Sequence, residues 1–424
     1  MTNISIITIG DELLIGQVID TNSAWMAQEL NKNGFWVNRR VAIGDGRKDI
    51  LHALSEESIQ ADIILITGGL GPTADDITKP VLCEYFKTSL IINEEALENV
   101  KNIFNKILHR PLVERNLKQA EVPASCIVIQ NKRGTAPGML FEMDGKIFVS
   151  MPGVPHEMKG MMTDEVIPYL RNKFGTNFIS HRTLLTAGVG ESTLADHIRD
   201  FEEALPPEIK LAYLPNYGMV RLRLTASAEQ EAGLQFQLDE LFSNLKTRVS
   251  EWMVTDSDIT LQEAIGELLI SRKQTMSTAE SCTGGYVAHL ITSIPGSSVY
   301  FHGSVIAYDN RIKIKMLGVD PVILSSAGAV SEETVRAMVS GAIRTMGTDY
   351  AIATSGIMGP GGGSEKKPVG TVWIAAGNPH EIITQKLWFR FDRQRNIELT
   401  AANVLNLLRR FILLQTPQKP VCST

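Results

Sequence analysis

Apolar and polar positions divide the chain into three stretches. Up to about residue 170, short continuous apolar runs alternate with helical periodicity. Residues 4–9 form a β-rich run that stops at Gly10-Asp11, and residues 61–67 form another that stops at Gly68-Gly69-Leu70-Gly71-Pro72. A third run, 146–151, ends at Pro152-Gly153. Between them, residues 23–33, 79–86 and 94–107 space their apolar side chains as a helix does. Apolar strands joined by helices predict a parallel sheet covered on both faces, hence an α/β domain.

The second stretch, 171–255, predicts a small α+β unit. A strand is expected at 183–186 and a helix at 190–201, before a break at Pro206-Pro207. Over 220–226, Val220, Leu222, Leu224 and Ala226 alternate with Arg221, Arg223 and Thr225, the period of a half-buried strand. A long helix is expected over 229–248. From 256 onward the α/β pattern returns. Helices are expected at 261–269, 286–293, 332–346 and 395–414, and strands at 275–279, 299–308, 350–354 and 371–376. The expected division is therefore 1–170, 171–255 and 256–424.

Composition narrows the class. Of 424 residues, 44% are hydrophobic and 21% charged, as in ordinary globular proteins, which excludes wholesale disorder and collagen-like structure. The net charge of −6 argues against a nonspecific grip on nucleic acid. The segment from 256 is mildly basic, which suits a small anionic ligand. No apolar run approaches the roughly 18–20 residues of a membrane helix. The N-terminus lacks the basic region of a signal peptide, so a cytoplasmic location is expected. Cys83, Cys126, Cys282 and Cys422 show neither CxxC nor zinc-site spacing.

Two regions carry candidate chemistry. In the first, glycine turns follow strands, where α/β sheets collect ligands and where backbone N–H groups can reach phosphate oxygens. Gly68, Gly69, Gly71, Thr73 and Thr78 are the candidate contacts. Asp75 and Asp76, with Asp11 and Glu12 from the first turn, are candidate ligands for a divalent cation; a glycine turn with an acidic helix cap is the plainer alternative. In the last segment, Ser281 lies between a strand and a helix. There its hydroxyl is exposed at the sheet edge and the helix N-terminus offers donors to an oxyanion. Thr283, Gly284 and Gly285 permit close approach. The hydroxyl needs a base; His289 and His302 lack a triad-like context, whereas Lys313, with Tyr308 five residues earlier, is a credible one. A capping role for Ser281, a solvated Lys313 and nucleophilic Cys282 remain alternatives. A strand then feeds Thr354, Ser355 and Gly356 into a glycine-rich loop holding Gly359 and Gly361, a candidate phosphate cradle.

GDELLIGQVIDTN, TGGLGPTADDITK, GTAPGM and MPGVPHEM resemble the N-terminal domain of the CinA family, which is similar to molybdopterin-binding domains. The resemblance implies metal-dependent hydrolysis of ADP-ribose to AMP and ribose 5-phosphate, with cobalt or magnesium and potassium as cofactors. Residues 171–255 occupy the place of the family's KH-like domain, helped by Gly188-Val189-Gly190-Glu191-Ser192; the RNA-gripping GxxG loop is not evident. TAESCTGGYVAHLITSIPGSSVYFHGSVIAYDNRIKIKMLGV and SGIMGPGGGSEKKPVGTVW resemble the family's C-terminal domain. That implies metal-free deamidation of nicotinamide mononucleotide to nicotinate mononucleotide and ammonia. Carried over, Ser281 is the nucleophile, Tyr308 and Lys313 exchange protons, and Thr354 and Ser355 contact substrate. Met358 departs from the family's usual alanine. The implied partners are small nucleotides, with no membrane, no direct nucleic acid and a homodimeric assembly. A non-catalytic pterin- or nucleotide-binding protein linked to competence or DNA repair is the alternative.

Overall fold

The structure is a computed structural model that describes residues 2–73, 76–109, 111–228, 230–231 and 233–415. It divides into two compact units, Met1–Ile179 with Ser227–Ala232 and Ser180–Ala226 with Gly233–Thr424. No helix among the described residues is long and apolar enough to cross a membrane.

The first unit is built on a six-stranded sheet ordered β2-β1-β3-β8-β7-β6: Trp36–Ile43, Asn3–Ile9, Ile63–Thr67, Lys146–Met151, Gly138–Met143 and Ile127–Ile129. Its centre is parallel, as the continuous apolar runs predict, but β8-β7-β6 pair antiparallel, so the sheet is mixed. The period-two pleat sorts the isoleucines by face. Ile4, Ile6, Ile63 and Leu65 pack with Met26, Leu30 and Met158 on one side; Ile7, Ile9, Ile64 and Ile66 pack with Ile50, Leu54 and Leu82 on the other. A separate two-stranded ribbon joins β4 (Leu90–Ile92) to β5 (Glu121–Pro123). The helix Ile167–Phe174 runs through the boundary expected at 170.

The second unit holds two sheets. One has the order β10-β11-β9-β12, formed by Ile209–Asn216, Met219–Ala228, Phe178–Ala187 and Met253–Thr255. In β11, Val220, Leu222, Leu224 and Ala226 are buried, in keeping with their alternation. The other sheet has the order β14-β13-β15-β16-β17: Phe301–Ile306, Met276–Glu280, Tyr350–Gly356, Thr371–Gly377 and Ile382–Trp388. Here β14-β13-β15 are parallel and β15-β16-β17 antiparallel. The two sheets belong to one compact unit because they share a core. Leu185 packs in one cluster with Leu261, Ile265 and Leu405, joined by Met219 and Val254. The Arg409 guanidinium also donates to the Met253 carbonyl at 3.1 Å.

Candidate functional site

Strand β13 delivers the candidate nucleophile. It ends at Glu280; residues 281–285 turn, and the helix Tyr286–Thr292 begins. Gly284 and Gly285 take left-handed φ of 63° and 98°, a conformation that favours glycine. Ser281 is thereby set at the carboxyl edge of the sheet, at the side of a pocket of about 210 Å³ lined also by Cys282, Lys313, Ser355, Met358 and Arg393.

Lys313 comes from the helix Asn310–Leu317, which Asp309 caps. Its side chain is 1% exposed. The Nζ donates to the Ala307 carbonyl at 2.7 Å and the Tyr308 carbonyl at 3.3 Å, and it lies 3.1 Å from Ser281 Oγ. Burial holds the lysine pKa below its ordinary value, against the smaller opposing pulls of Cys282 and Asp309. A neutral amine in this setting has two N–H bonds for the two carbonyls and a lone pair for the serine hydroxyl. That is the hydrogen-bond pattern a general base requires.

Several expected roles are redistributed. The helix N–H groups expected to receive an oxyanion are already occupied. Glu280, 1% exposed, folds back so that Oε2 accepts from Thr283 Oγ1 at 2.7 Å, Gly285 N at 3.0 Å and Val287 N at 3.1 Å, while Oε1 accepts from Ala288 N at 2.8 Å. The Gly284 amide bonds the Ser281 carbonyl. Among the described residues the Cys282 and Thr283 amides make no bond to a backbone carbonyl, and they are the donors beside Ser281. Tyr308 meets Lys313 through its carbonyl; its own hydroxyl accepts from Arg393 Nη2 at 3.0 Å. Thr354 is buried and bonds Thr283 Oγ1 at 2.8 Å, so it positions the turn. Ser355 and Gly356 line the pocket, with Ser355 Oγ donating to the Ala329 carbonyl at 2.7 Å. Gly359 and Gly361 do not line it; the Gly359 carbonyl accepts from Arg393 at 2.9 Å. Met358 does face the pocket, 3% exposed. Burial pushes the Cys282 thiol up to about 12, which removes it as a nucleophile near neutral pH. Sequence reasoning missed Glu280 and Arg393. An acidic residue ending a buried strand was a readable signal for Glu280; nothing local pointed to Arg393.

The first unit carries a smaller cleft, about 160 Å³, at the carboxyl ends of β1, β3 and β8, lined by Glu12, Asp20, Asn22, Thr67 and Gly153 among others. Asp20 caps the helix Thr21–Lys32, accepting from Ser23 N at 2.9 Å and Thr8 Oγ1 at 2.9 Å. Gly68 and Gly69 are needed for shape: a Cβ would strike the Ile9 carbonyl at the first and Thr78 Oγ1 at the second. Thr78 Oγ1 donates to the Gly68 carbonyl at 3.2 Å, closing the loop. The Gly71 and Thr73 amides, expected to face phosphate, donate instead to Asp76 at 2.8 and 2.9 Å. The expected cation set does not assemble among the described residues. Asp76 is engaged in its own turn, and the Asp11 carboxylate accepts from the Asp45 amide at 3.2 Å while the Asp11 amide donates to the Asp45 carboxylate at 3.0 Å. Asp75 lies outside the described residues. No group of three or more His, Cys, Asp or Glu side chains among the described residues suits a metal.

Known proteins match in the same order along the chain. Residues 5–172 match the probable molybdopterin binding domain, 181–254 the damage-inducible protein CinA KH domain, and 258–412 the CinA C-terminal domain. A CinA-like protein of Cytophaga hutchinsonii is 46% identical, over 96% of this chain and 97% of its own length. A putative competence-damage inducible protein of Halothermothrix orenii is 39% identical, over 96% and 98%. Among solved structures, competence/damage inducible protein CihA of Agrobacterium tumefaciens is 35% identical over 35% of this chain and 91% of that one, with a TM-score of 0.34. With relatives matched along almost their whole length, this chain, whose Ser281 turn is backed by a buried lysine, belongs to the CinA family.

Proposed function

We propose that the C-terminal site is a serine amidohydrolase acting on the carboxamide of nicotinamide mononucleotide. The observation that carries this reading is the buried Ser281–Lys313 pair, with Nζ 3.1 Å from Oγ and two carbonyls fixing the amine. Neutral Lys313 takes the Ser281 proton as Oγ attacks the carboxamide carbon. The Cys282 and Thr283 amides receive the oxyanion. The lysine ammonium then hands its proton to the departing nitrogen, which leaves as ammonia, and an acyl ester remains on Ser281. Water, deprotonated by the same amine, attacks the ester and releases nicotinate mononucleotide. Arg393 at the pocket wall supplies positive charge for the nucleotide phosphate. The test is ammonia release from nicotinamide mononucleotide without added metal, with Ser281→Ala alongside. Release that disappears in the variant supports the reading; none from folded wild-type protein overturns it and favours a binding role.

For the first unit, the family resemblance and the cleft at the carboxyl ends of the parallel strands support hydrolysis of ADP-ribose to AMP and ribose 5-phosphate. The described carboxylates do not fit a metal as they stand, so no step is routed through one. AMP formation from ADP-ribose, with and without added cobalt, tests this half; it should survive Ser281→Ala.

A further inference from the structure

A cleft larger than the Ser281 pocket lies elsewhere in the second unit. It measures about 520 Å³ and opens between the β10–β11 hairpin and helices that include Leu261–Arg272 and Arg393–Leu414. That volume is typical of small-molecule sites. Met219, Leu261 and Leu405 give it an apolar floor, while Tyr217, Tyr286 and Glu398 supply its aromatic and acidic walls.

Tyr217 sits in a backbone conformation that tyrosine seldom adopts. Asn216 pairs with Met219, so Tyr217-Gly218 is a two-residue hairpin loop, with φ of 42° and 78°. Asparagine, aspartate or glycine is favoured at such a first position. A bulky residue held there points to a use for its side chain. The Tyr217 phenol meets the Glu398 carboxylate, whose hydrogen bond and charge push its pKa up. Glu398 accepts from Gln394 Nε2 at 2.8 Å and pairs with no cationic side chain among the described residues. Arg221, the cation on the wall, is already engaged by Asp258 at 3.2 Å and the Ile259 carbonyl at 3.0 Å. The cleft therefore offers two tyrosine rings and a carboxylate that forms no ion pair among the described residues, the complement of a flat aromatic cation. At its mouth an adjoining recess shares Tyr217 and Glu398 and adds Arg395, which is exposed and stacks over Phe391 at 4.1 Å.

We propose that this cleft binds a planar heteroaromatic cation carrying an anionic substituent, with the ring against Tyr217 and Tyr286, its positive nitrogen beside Glu398, and the anionic tail at Arg395. The site uses none of the Ser281, Lys313 or Arg393 side chains, so it stands whether or not deamidation is the reaction there.

The full chain would be titrated calorimetrically with 1-methylnicotinamide, a cation, and with nicotinamide, its neutral counterpart. The cation should bind at least tenfold more tightly. Tyr217→Asn and Glu398→Gln should each weaken the cation at least tenfold, and Glu398→Gln should leave nicotinamide unchanged. Asparagine tolerates the left-handed backbone, and thermal unfolding would verify that both variants fold. An N-carboxymethyl analogue should bind more tightly than the N-methyl compound, and Arg395→Gln should remove that gain. Equal affinity for cation and neutral ring, or no effect of the Tyr217 and Glu398 variants, overturns the proposal. Loss of binding in Lys313→Met instead would place the ligand in the Ser281 pocket and overturn it equally.

Discussion

Lys79 in the first unit and Lys313 in the second are both buried, and they have different surroundings. Lys79 donates to the Gln119 carbonyl at 2.8 Å. Burial, opposed by the Glu121 charge, brings its pKa down to about 8. Lys313 is desolvated as well, yet it touches a serine hydroxyl at the side of a pocket. Desolvation alone therefore does not make a base. A proton donor within reach and a space for substrate are also required. The glycine turns of the two units repeat the lesson. In each, a carboxylate binds the amides that sequence reasoning reserved for ligand: Asp76 for Gly71 and Thr73, Glu280 for Gly285, Val287 and Ala288. Only the second turn also places a hydroxyl beside an amine.

The sharpest way to break this comparison is to remove each amine. Lys313→Met should lower ammonia release from nicotinamide mononucleotide by roughly 10²–10⁴-fold, the usual range for a general base. Lys79→Met should leave release unchanged; a loss of similar size there would show that the two lysines do not differ as described. The pH profile sharpens the point. Because the folded Lys313 pKa is lowered, the rate should rise with pH and reach its plateau below the ordinary lysine value of 10.5.

Glu280→Gln comes next. It takes charge from a carboxylate that accepts from three backbone amides, and it should cost about 2 kcal/mol in urea unfolding. Met358→Ala follows: shortening a buried side chain should cost about 2–3 kcal/mol while enlarging the pocket, so KM should move more than kcat. A further effect is expected in the stability of the first unit. Between pH about 8 and 10.5 the unfolded chain holds a proton that folded Lys79 has released, so wild-type stability should rise with pH relative to Lys79→Met. A flat difference across that window would mean that the lysine is not desolvated.

Much of the fold was legible because burial writes directly into hydrophobic period. The isoleucine runs of β1 and β3 and the alternation of β11 follow from which faces are covered. What escaped includes β2, β10 and β17, whose edge or exposed positions leave a weak apolar signal, the buried β7, and the antiparallel side of each sheet, since strand direction is set by connections and not by composition. At the site, Ser281 and Lys313 were readable from their motif. The roles of Glu280, Thr354 and Arg393 were not, because each depends on a hydrogen-bond partner that the fold brings close.

By itself, then, the sequence determined the strands that must be covered on both faces, the glycine turns that end them and the residue types able to do acyl chemistry. Those properties are local, fixed by side-chain hydrophobicity and backbone sterics over a few residues. Only the tertiary structure decided that Lys313 is dry, that Glu280 takes the helix amides, that the second and third segments share one core and that Tyr217 meets Glu398. Each of these brings together groups distant in the chain, and desolvation and hydrogen-bond satisfaction are properties of that assembled environment.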